Sequence, residues 1–261
     1  MLVHGFTDFA YGWRGVAERL APHARVIAPD LRGHGDSDRI GAGGYYHFFD
    51  YVADLDDVIA QLVPGRFVLA GHSMGGTVAT YWAGTRPERP AALALLEGLG
   101  PPDLAGGDGP ARTAQWIAQW RTTAHAPKVM PTVDVAAARL RAKDPLLDEA
   151  LARELAEHGT RRVEGGVVWK HDPLHLTMGP YPYRLDTAIK YWTRITCPVL
   201  MVDGADSRLN LPIEERAARR AHFADHRHVI LERCGHAIPR HQPARLAELL
   251  GELATQAVPG R

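Results

Sequence analysis

Apolar positions along this chain follow two rhythms. Short uninterrupted apolar runs of strand length occupy residues 67–70, 91–96, 198–202 and 227–231, with shorter candidates at 2–3 and 25–30. Between them, apolar side chains recur every three or four positions: residues 49–63 carry Val52, Leu55, Ile59 and Leu62 at helical spacing. Residues 13–20, 77–83, 213–223 and 243–254 read as helices as well. Unbroken apolar runs suit strands buried on both faces, so their alternation with helices predicts an α/β fold, a mostly parallel sheet with helices on both faces.

That rhythm stops at residue 101 and resumes near 196. No buried-strand run occurs between those points. Helices are expected at 111–124, with Trp116, Ile117 and Trp120 on one side, at 133–142 and 146–158, separated by Asp144-Pro145, and at 185–194. Residues 163–169 suit a small hairpin or loop. The expected organisation is a core of residues 1–100 and 196–261 interrupted by a helical insertion, a cap, over 101–195. There is no internal repeat and no low-complexity tract.

The run at 67–70 leads directly into Gly71-His72-Ser73-Met74-Gly75 and then into a small-residue helix. Strand, G-x-S-x-G and helix in that order describe a nucleophile elbow. The chain must reverse within about three residues, which strains the backbone at the serine. The flanking glycines let strand and helix approach closely, and the Ser73 hydroxyl stands at a helix N-terminus, where negative charge is favoured. The alternative is a Gly/Ser turn that only links strand to helix. A serine hydroxyl needs a base within hydrogen-bond reach. His236, in the turn Cys234-Gly235-His236 after the last predicted strand, is the candidate. A third group must orient its imidazole, and the chain order Ser…Asp/Glu…His is available here.

Composition narrows the partners. Of 261 residues, 46% are hydrophobic and 23% charged, as in ordinary globular chains. Lys+Arg and Asp+Glu each number 30, which argues against nucleic acid as a partner. No apolar run approaches a membrane span, and the start Met1-Leu2-Val3-His4-Gly5 lacks the basic flank and long apolar stretch of a signal peptide. Two cysteines, Cys197 and Cys234, make no disulfide framework, so a cytoplasmic setting is expected. The fourteen histidines show no H-E-x-x-H or C-x-x-C spacing, and no metal or organic cofactor is expected.

Taken together, His4-Gly5-Phe6, Asp30-Leu31-Arg32-Gly33-His34-Gly35-Asp36-Ser37, Gly71-His72-Ser73-Met74-Gly75 and Gly235-His236 resemble the α/β-hydrolase-fold serine hydrolases. Leu95 to Pro101 and Trp169-Lys170-His171-Asp172-Pro173 further resemble the serine-hydrolase-like branch. The resemblance implies an oxyanion hole made by the backbone N–H groups of Phe6 and Met74. It makes His4 a structural loop residue, His72 a packing residue, and Arg32, His34 and Asp36 braces of their loop. In the family the acid usually follows the strand that begins here at Pro198, in a pattern like G-x-x-D. Counted from Gly204, that position is Ser207, and Asp206 falls one residue early. Some members carry the acid after the preceding strand, where Glu97 stands. Glu97 is the preferred acid and Asp206 the alternative; Glu97 could also be a strand-end carboxylate binding backbone N–H groups.

Family members that open epoxides or displace halide use aspartate at the elbow, so serine implies acyl transfer. The leading expectation is a serine hydrolase cleaving a small or medium carboxylic ester through an acyl-enzyme on Ser73, with His236 as general base. A carbon–carbon bond hydrolase, a cofactor-free perhydrolase, or a ligand receptor that keeps the fold without turnover are the alternatives. Trp116, Trp120, Trp169 and Tyr183 are expected to line the substrate pocket, from a wider set including Met130, Tyr181, Tyr191 and Trp192. Relatives carry an N-terminal hairpin and a full strand before the His4-Gly5 turn, whereas here only Met1-Leu2-Val3 precede it. Either the sequence begins inside a longer chain or those strands are lacking; if they are lacking, residues 26–28 would form an exposed apolar edge, and poor solubility or a homodimer is expected.

Overall fold

The computed structural model describes residues 1–257 except 42, 105, 106, 108, 124–126 and 210. The core is a parallel sheet of strands β1 (Leu2–Val3), β2 (Phe67–His72), β3 (Pro90–Leu96), β6 (Val199–Gly204) and β7 (His226–Leu231), in the spatial order β1-β2-β3-β6-β7. Ala70 lies opposite Ala94 and Leu95 opposite Met201 in the register. Successive strand residues point to opposite faces. Leu69, Leu93, Leu95, Val199 and Met201 therefore join one apolar core, packed under helices α2 (Phe48–Leu62), α3 (Met74–Thr85) and α7 (Leu185–Trp192). Ala70, Ala92, Ala94, Leu96, Leu200 and Val202 join a second core on the other face, under α1 (Arg14–Leu20) and α10 (Pro243–Ala257).

One predicted strand does not form. Residues 25–30 enter no ladder, and the carbonyl of Ile27 accepts one bond, from the Leu2 N–H at 2.8 Å. β1 offers only two residues on that side, and Pro29 has no N–H to give. Helix ends also moved where capping chemistry decides them. The predicted helix 146–158 is α6 (Glu149–Gly159), because the Asp148 carboxylate accepts the Leu151 N–H and fixes the start there. The helix expected at 13–20 begins as a 3₁₀ turn, Ala10–Trp13, before α1.

Between β3 and β6 lie α4 (Gly109–Thr122), α5 (Val133–Lys143), α6 and an antiparallel hairpin, β4 (Thr160–Val163) with β5 (Gly166–Trp169). The end predicted for the first of these helices, Ala124, falls outside the described residues. Met130, Ala136, Leu147, Leu155 and Val167 give this segment a small apolar core of its own. The chain returns through α7 to β6, then runs α8 (Ile213–Arg220), β7, the short helix α9 (Ile238–His241) and α10. Among the described residues no helix is long and apolar enough to cross a membrane, and no group of three or more His, Cys, Asp or Glu could hold a metal ion.

Candidate active site

Ser73 stands between β2 and α3 with φ 53° and ψ −121°. A non-glycine residue there costs about 1–3 kcal/mol and persists only where its surroundings over-determine it. Here they do. The Ser73 N–H donates to the Leu96 carbonyl at 2.8 Å, and its own carbonyl accepts from Gly76 and Thr77 N–H. A methyl group on Gly75 would lie 2.4 Å from the His4 carbonyl oxygen and 2.5 Å from that of Val3. The loop that follows β1 therefore crosses directly over the start of α3, and only glycine admits it.

The same crossing sets Gly5 against the elbow, where a methyl group on it would lie 3.2 Å from the Ser73 Cβ; the two amides expected to form an oxyanion hole belong to the residues that follow these two. Among the described residues, neither the Phe6 nor the Met74 N–H has a hydrogen-bond partner. The Phe6 loop is held by His4, which is fully buried. Its Nδ1–H donates to the Gly5 carbonyl at 2.8 Å, while Nε2 accepts the Leu31 N–H at 2.9 Å. Both nitrogens are occupied by backbone, so His4 is a structural pin, and burial holds its pKa below the usual imidazole value. The Phe6 ring stands edge-on to His34 and His175, whose own rings stack at 4.1 Å.

The two candidate acids, Glu97 and Asp206, sit in different surroundings. His236 Nδ1 lies 2.5 Å from Glu97 Oε2. The same oxygen accepts the Ser207 hydroxyl at 2.8 Å, and Oε1 accepts the Gly204 N–H at 3.0 Å. Glu97 thus binds a backbone N–H and the imidazole at once. Burial would push this carboxyl up, but the His236, Gly204 and Ser207 donors outweigh it and hold it below the usual carboxylate range. With a carboxylate on Nδ1, His236 carries its proton there and leaves Nε2 free as a base. Asp206 is exposed and, among the described residues, makes no bond to His236; its backbone N–H serves the Cys234 carbonyl instead. Buried Asp203, at the end of β6, is taken by His228 at 2.9 Å and Arg216 at 2.8 Å.

Glu97 itself has φ 47°, and the next residue, Gly98, packs backbone to backbone on Gly76 of α3, where an added methyl would lie 2.7 Å from the Gly76 Cα. The elbow and the strand end that bears Glu97 are therefore braced against each other. Between the Ser73 hydroxyl and the His236 ring there is no hydrogen bond among the described residues; in substrate-free sites such bonds are often long. His72, the residue before Ser73, ties the elbow to the loop that carries His236. Its Nε2–H donates to the His236 carbonyl at 2.7 Å, and the two rings lie 4.7 Å apart. Sequence reading took His72 for packing alone, and nothing in G-x-S-x-G signals this bond. Ser207, by contrast, was reachable from the G-x-x-D offset.

The aromatic candidates separate into two groups. Trp116 stacks on Trp120 at 5.4 Å, and Trp120 and Tyr183 pack on the main core in company with Met74 and Leu99. Trp169 packs instead on the small core of the 101–195 segment, with Phe9. A cavity of about 430 Å³ bounded by Leu31, Ile40, Leu55 and Val58 is lined by none of the catalytic candidates.

Comparison with known proteins agrees with this architecture. A serine hydrolase-like protein from Danio rerio is 32% identical over 178 residues, 66% of this chain and 54% of that protein. Mouse epoxide hydrolase 4 is 38% identical over 96 residues, 37% of this chain and 27% of that protein. The matches thus span about half or less of these curated relatives. Among solved structures, the thioesterase domain from the curacin biosynthetic pathway has a TM-score of 0.85 at 28% identity, covering 96% of this chain and 89% of that one. An esterase from Mycobacterium tuberculosis has a TM-score of 0.76 at 25% identity, covering 97% and 83%. A family model for the alpha/beta hydrolase fold matches residues 1–239, and this chain belongs to that family.

Proposed function

We propose that this protein is a serine hydrolase that cleaves small or medium carboxylic esters, with Ser73 as nucleophile, His236 as general base and Glu97 as the acid of the triad. The observation that carries the reading is the 2.5 Å contact of His236 Nδ1 with Glu97, on a loop that His72 ties to the serine elbow. Ser73 Oγ attacks the ester carbonyl carbon and passes its proton to His236 Nε2. The negative charge that develops on the carbonyl oxygen falls to the Phe6 and Met74 N–H groups. His236 then protonates the departing alcohol, and a water molecule activated by the same imidazole hydrolyses the acyl-enzyme. The two structural neighbours named above, a thioesterase domain and an esterase, support acyl transfer over the other chemistries of the fold. The segment 101–195 serves as the cap over this site, with Trp116, Trp120 and Tyr183 on the acyl side.

The test is a series of p-nitrophenyl esters of increasing acyl length, with Ser73→Ala as control and a fluorophosphonate probe for Ser73. Turnover and labelling that both vanish in Ser73→Ala support the proposal. A wild-type protein that neither labels nor exceeds the control sinks it.

A further inference from the structure

Two residues after His236, α9 carries a second carboxylate–imidazole pair, and its carboxylate comes from the inserted segment. The His241 side chain is only 3% exposed. Its Nε2 lies 3.0 and 2.9 Å from the two carboxylate oxygens of Asp144, and its Nδ1 accepts the Gly235 N–H at 3.1 Å. The hydrogen therefore sits on Nε2 and the lone pair on Nδ1. Asp144 is the residue that ends α5, and Gly235 is the residue before His236. Burial would raise the Asp144 carboxyl, but the bond from His241 outweighs it and keeps the group charged. The same place is closely packed: a methyl on Gly235 would lie 3.3 Å from the His241 ring and 3.4 Å from the Leu146 side chain. On the opposite side Arg240 of α9 pairs with Asp8, two residues beyond Phe6.

We propose that Asp144 and His241 form a positioning pair through which the seating of the 101–195 segment sets the placement of His236. This rests on His236 acting as the base. The imidazole can hold Gly235 only while its ring is fixed, and Asp144 fixes it from the far side. If the segment lifts, Asp144 leaves, the ring turns, and the loop bearing His236 loses its register with Glu97. Closure over a bound substrate and competence of the base would then be one event.

Asp144→Ala removes the anchor on the insertion. His241→Asn keeps an acceptor oxygen where Nδ1 stands but is too short to reach Asp144. Each is expected to lower kcat on a p-nitrophenyl ester roughly tenfold, the scale of a small misplacement, with KM within about twofold. The double variant is expected to be no worse than either single one, because both cut the same link. Independently of activity, amide exchange in residues 233–237 should quicken about tenfold in Asp144→Ala, while β2 and β3 stay protected as the control for folding. Should that control fail, Asp144→Asn, which keeps the shape and an acceptor oxygen, replaces it, with a smaller rise in exchange expected. Wild-type kcat in either single variant, multiplicative losses in the double, or unchanged exchange at 233–237 overturns the proposal. If wild type fails to label at Ser73, the serine-hydrolase reading falls, and the exchange measurement alone decides the pair: quickening supports it and no change overturns it.

Discussion

The Ser207 hydroxyl lies 2.8 Å from Glu97 Oε2, the oxygen that also accepts from His236 Nδ1. The position that carries a carboxylate in the family pattern is here a donor to a carboxylate that arrives from the neighbouring strand. The carboxylate that meets the His236 imidazole comes from the end of β3, and the end of β6 supplies groups that hold it, Ser207 and the Gly204 N–H.

If Glu97 orients and stabilises the protonated imidazole, Glu97→Gln removes the charge and favours the wrong tautomer of His236. The expected loss in kcat is roughly 10³–10⁴-fold, as for an amide in place of a triad carboxylate. Asp206→Asn is expected to stay within about twofold of wild type, since exposed polar changes away from a network do little. Steady-state kinetics of the two variants side by side check this, and a crippled Asp206→Asn would reverse the assignment.

Ser207→Ala removes one of the donors that hold Glu97 below the usual carboxylate range. The folded-state pKa of Glu97 then rises towards its unfolded value. A carboxyl with a depressed folded pKa adds stability that is complete above the unfolded pKa and is lost as pH falls through the folded one. In Ser207→Ala that added stability is expected to be smaller at neutral pH, and its loss on acidification, which starts at the same unfolded pKa in both proteins, to be shallower and to end at higher pH than in wild type, while Ser207→Thr, which keeps the hydroxyl, follows wild type. Thermal melts from pH 3 to 7 read the difference. Coincident curves for Ser207→Ala and wild type would show that the hydroxyl does not tune the acid.

The buried imidazoles set the acid side of stability at milder pH. Burial pushes His34 down to about 2 and His72, His171 and His175 down to about 4. Below about 6.5 the unfolded chain takes up protons that these folded groups refuse, so stability rises with pH across this window and falls as pH drops from about 6.5 to about 4. Each such group steepens the slope by about 1.4 kcal/mol per pH unit at most. Urea midpoints are expected to decline already between pH 6.5 and 5, before the carboxylates titrate. His34→Asn, whose amide can still reach the Arg32 carbonyl, removes one titrating group and should flatten that decline. A midpoint constant down to pH 5 would count against neutral buried imidazoles.

How much of this was legible in the sequence follows from the range of the interactions. The elbow, β2 and β3 are local: an unbroken apolar run and a glycine-flanked serine carry their own instructions, and the strands appear where the runs stand. Residues 25–30 have the composition of a strand, yet a strand exists only with a partner, and β1 provides two residues and one bond. Ser73 and His236 are singled out as candidates by motif and by chain order. The choice between Glu97 and Asp206 depended on which of two side chains, one 139 and the other 30 positions before His236, the fold would bring to one imidazole, a question of register between β3 and β6, and spacing along the chain leans without deciding. His72, His241 and Asp144 belong to contacts across more than ninety residues, for which no local pattern exists.

Arg219 tests how the inserted segment is joined to the core. It is buried in α8, with one guanidinium nitrogen donating to the carbonyls of Leu99, Gly100 and Pro101 at 2.7, 3.1 and 2.9 Å and another to Glu215 at 2.5 Å. Its charge lies 5.6 Å from the centre of the Tyr183 ring, which belongs to the returning limb of the segment. One side chain thus holds the outgoing strand of the junction and touches the incoming one. Arg219→Met keeps the bulk and leaves three carbonyls without their donor. Leu99 and Gly100 are half-buried and Pro101 is exposed, so water can replace part of the lost bonding and a loss of about 2 kcal/mol is expected. For a chain of this size that lowers Tm by about 4–8 °C. Arg219→Lys, a single ammonium without the planar fork, should recover only part of it. A melt of Arg219→Met within about 2 °C of wild type would mean that water or neighbouring donors replace the guanidinium, and that the junction is held by the contact of Gly100 with Tyr183 instead.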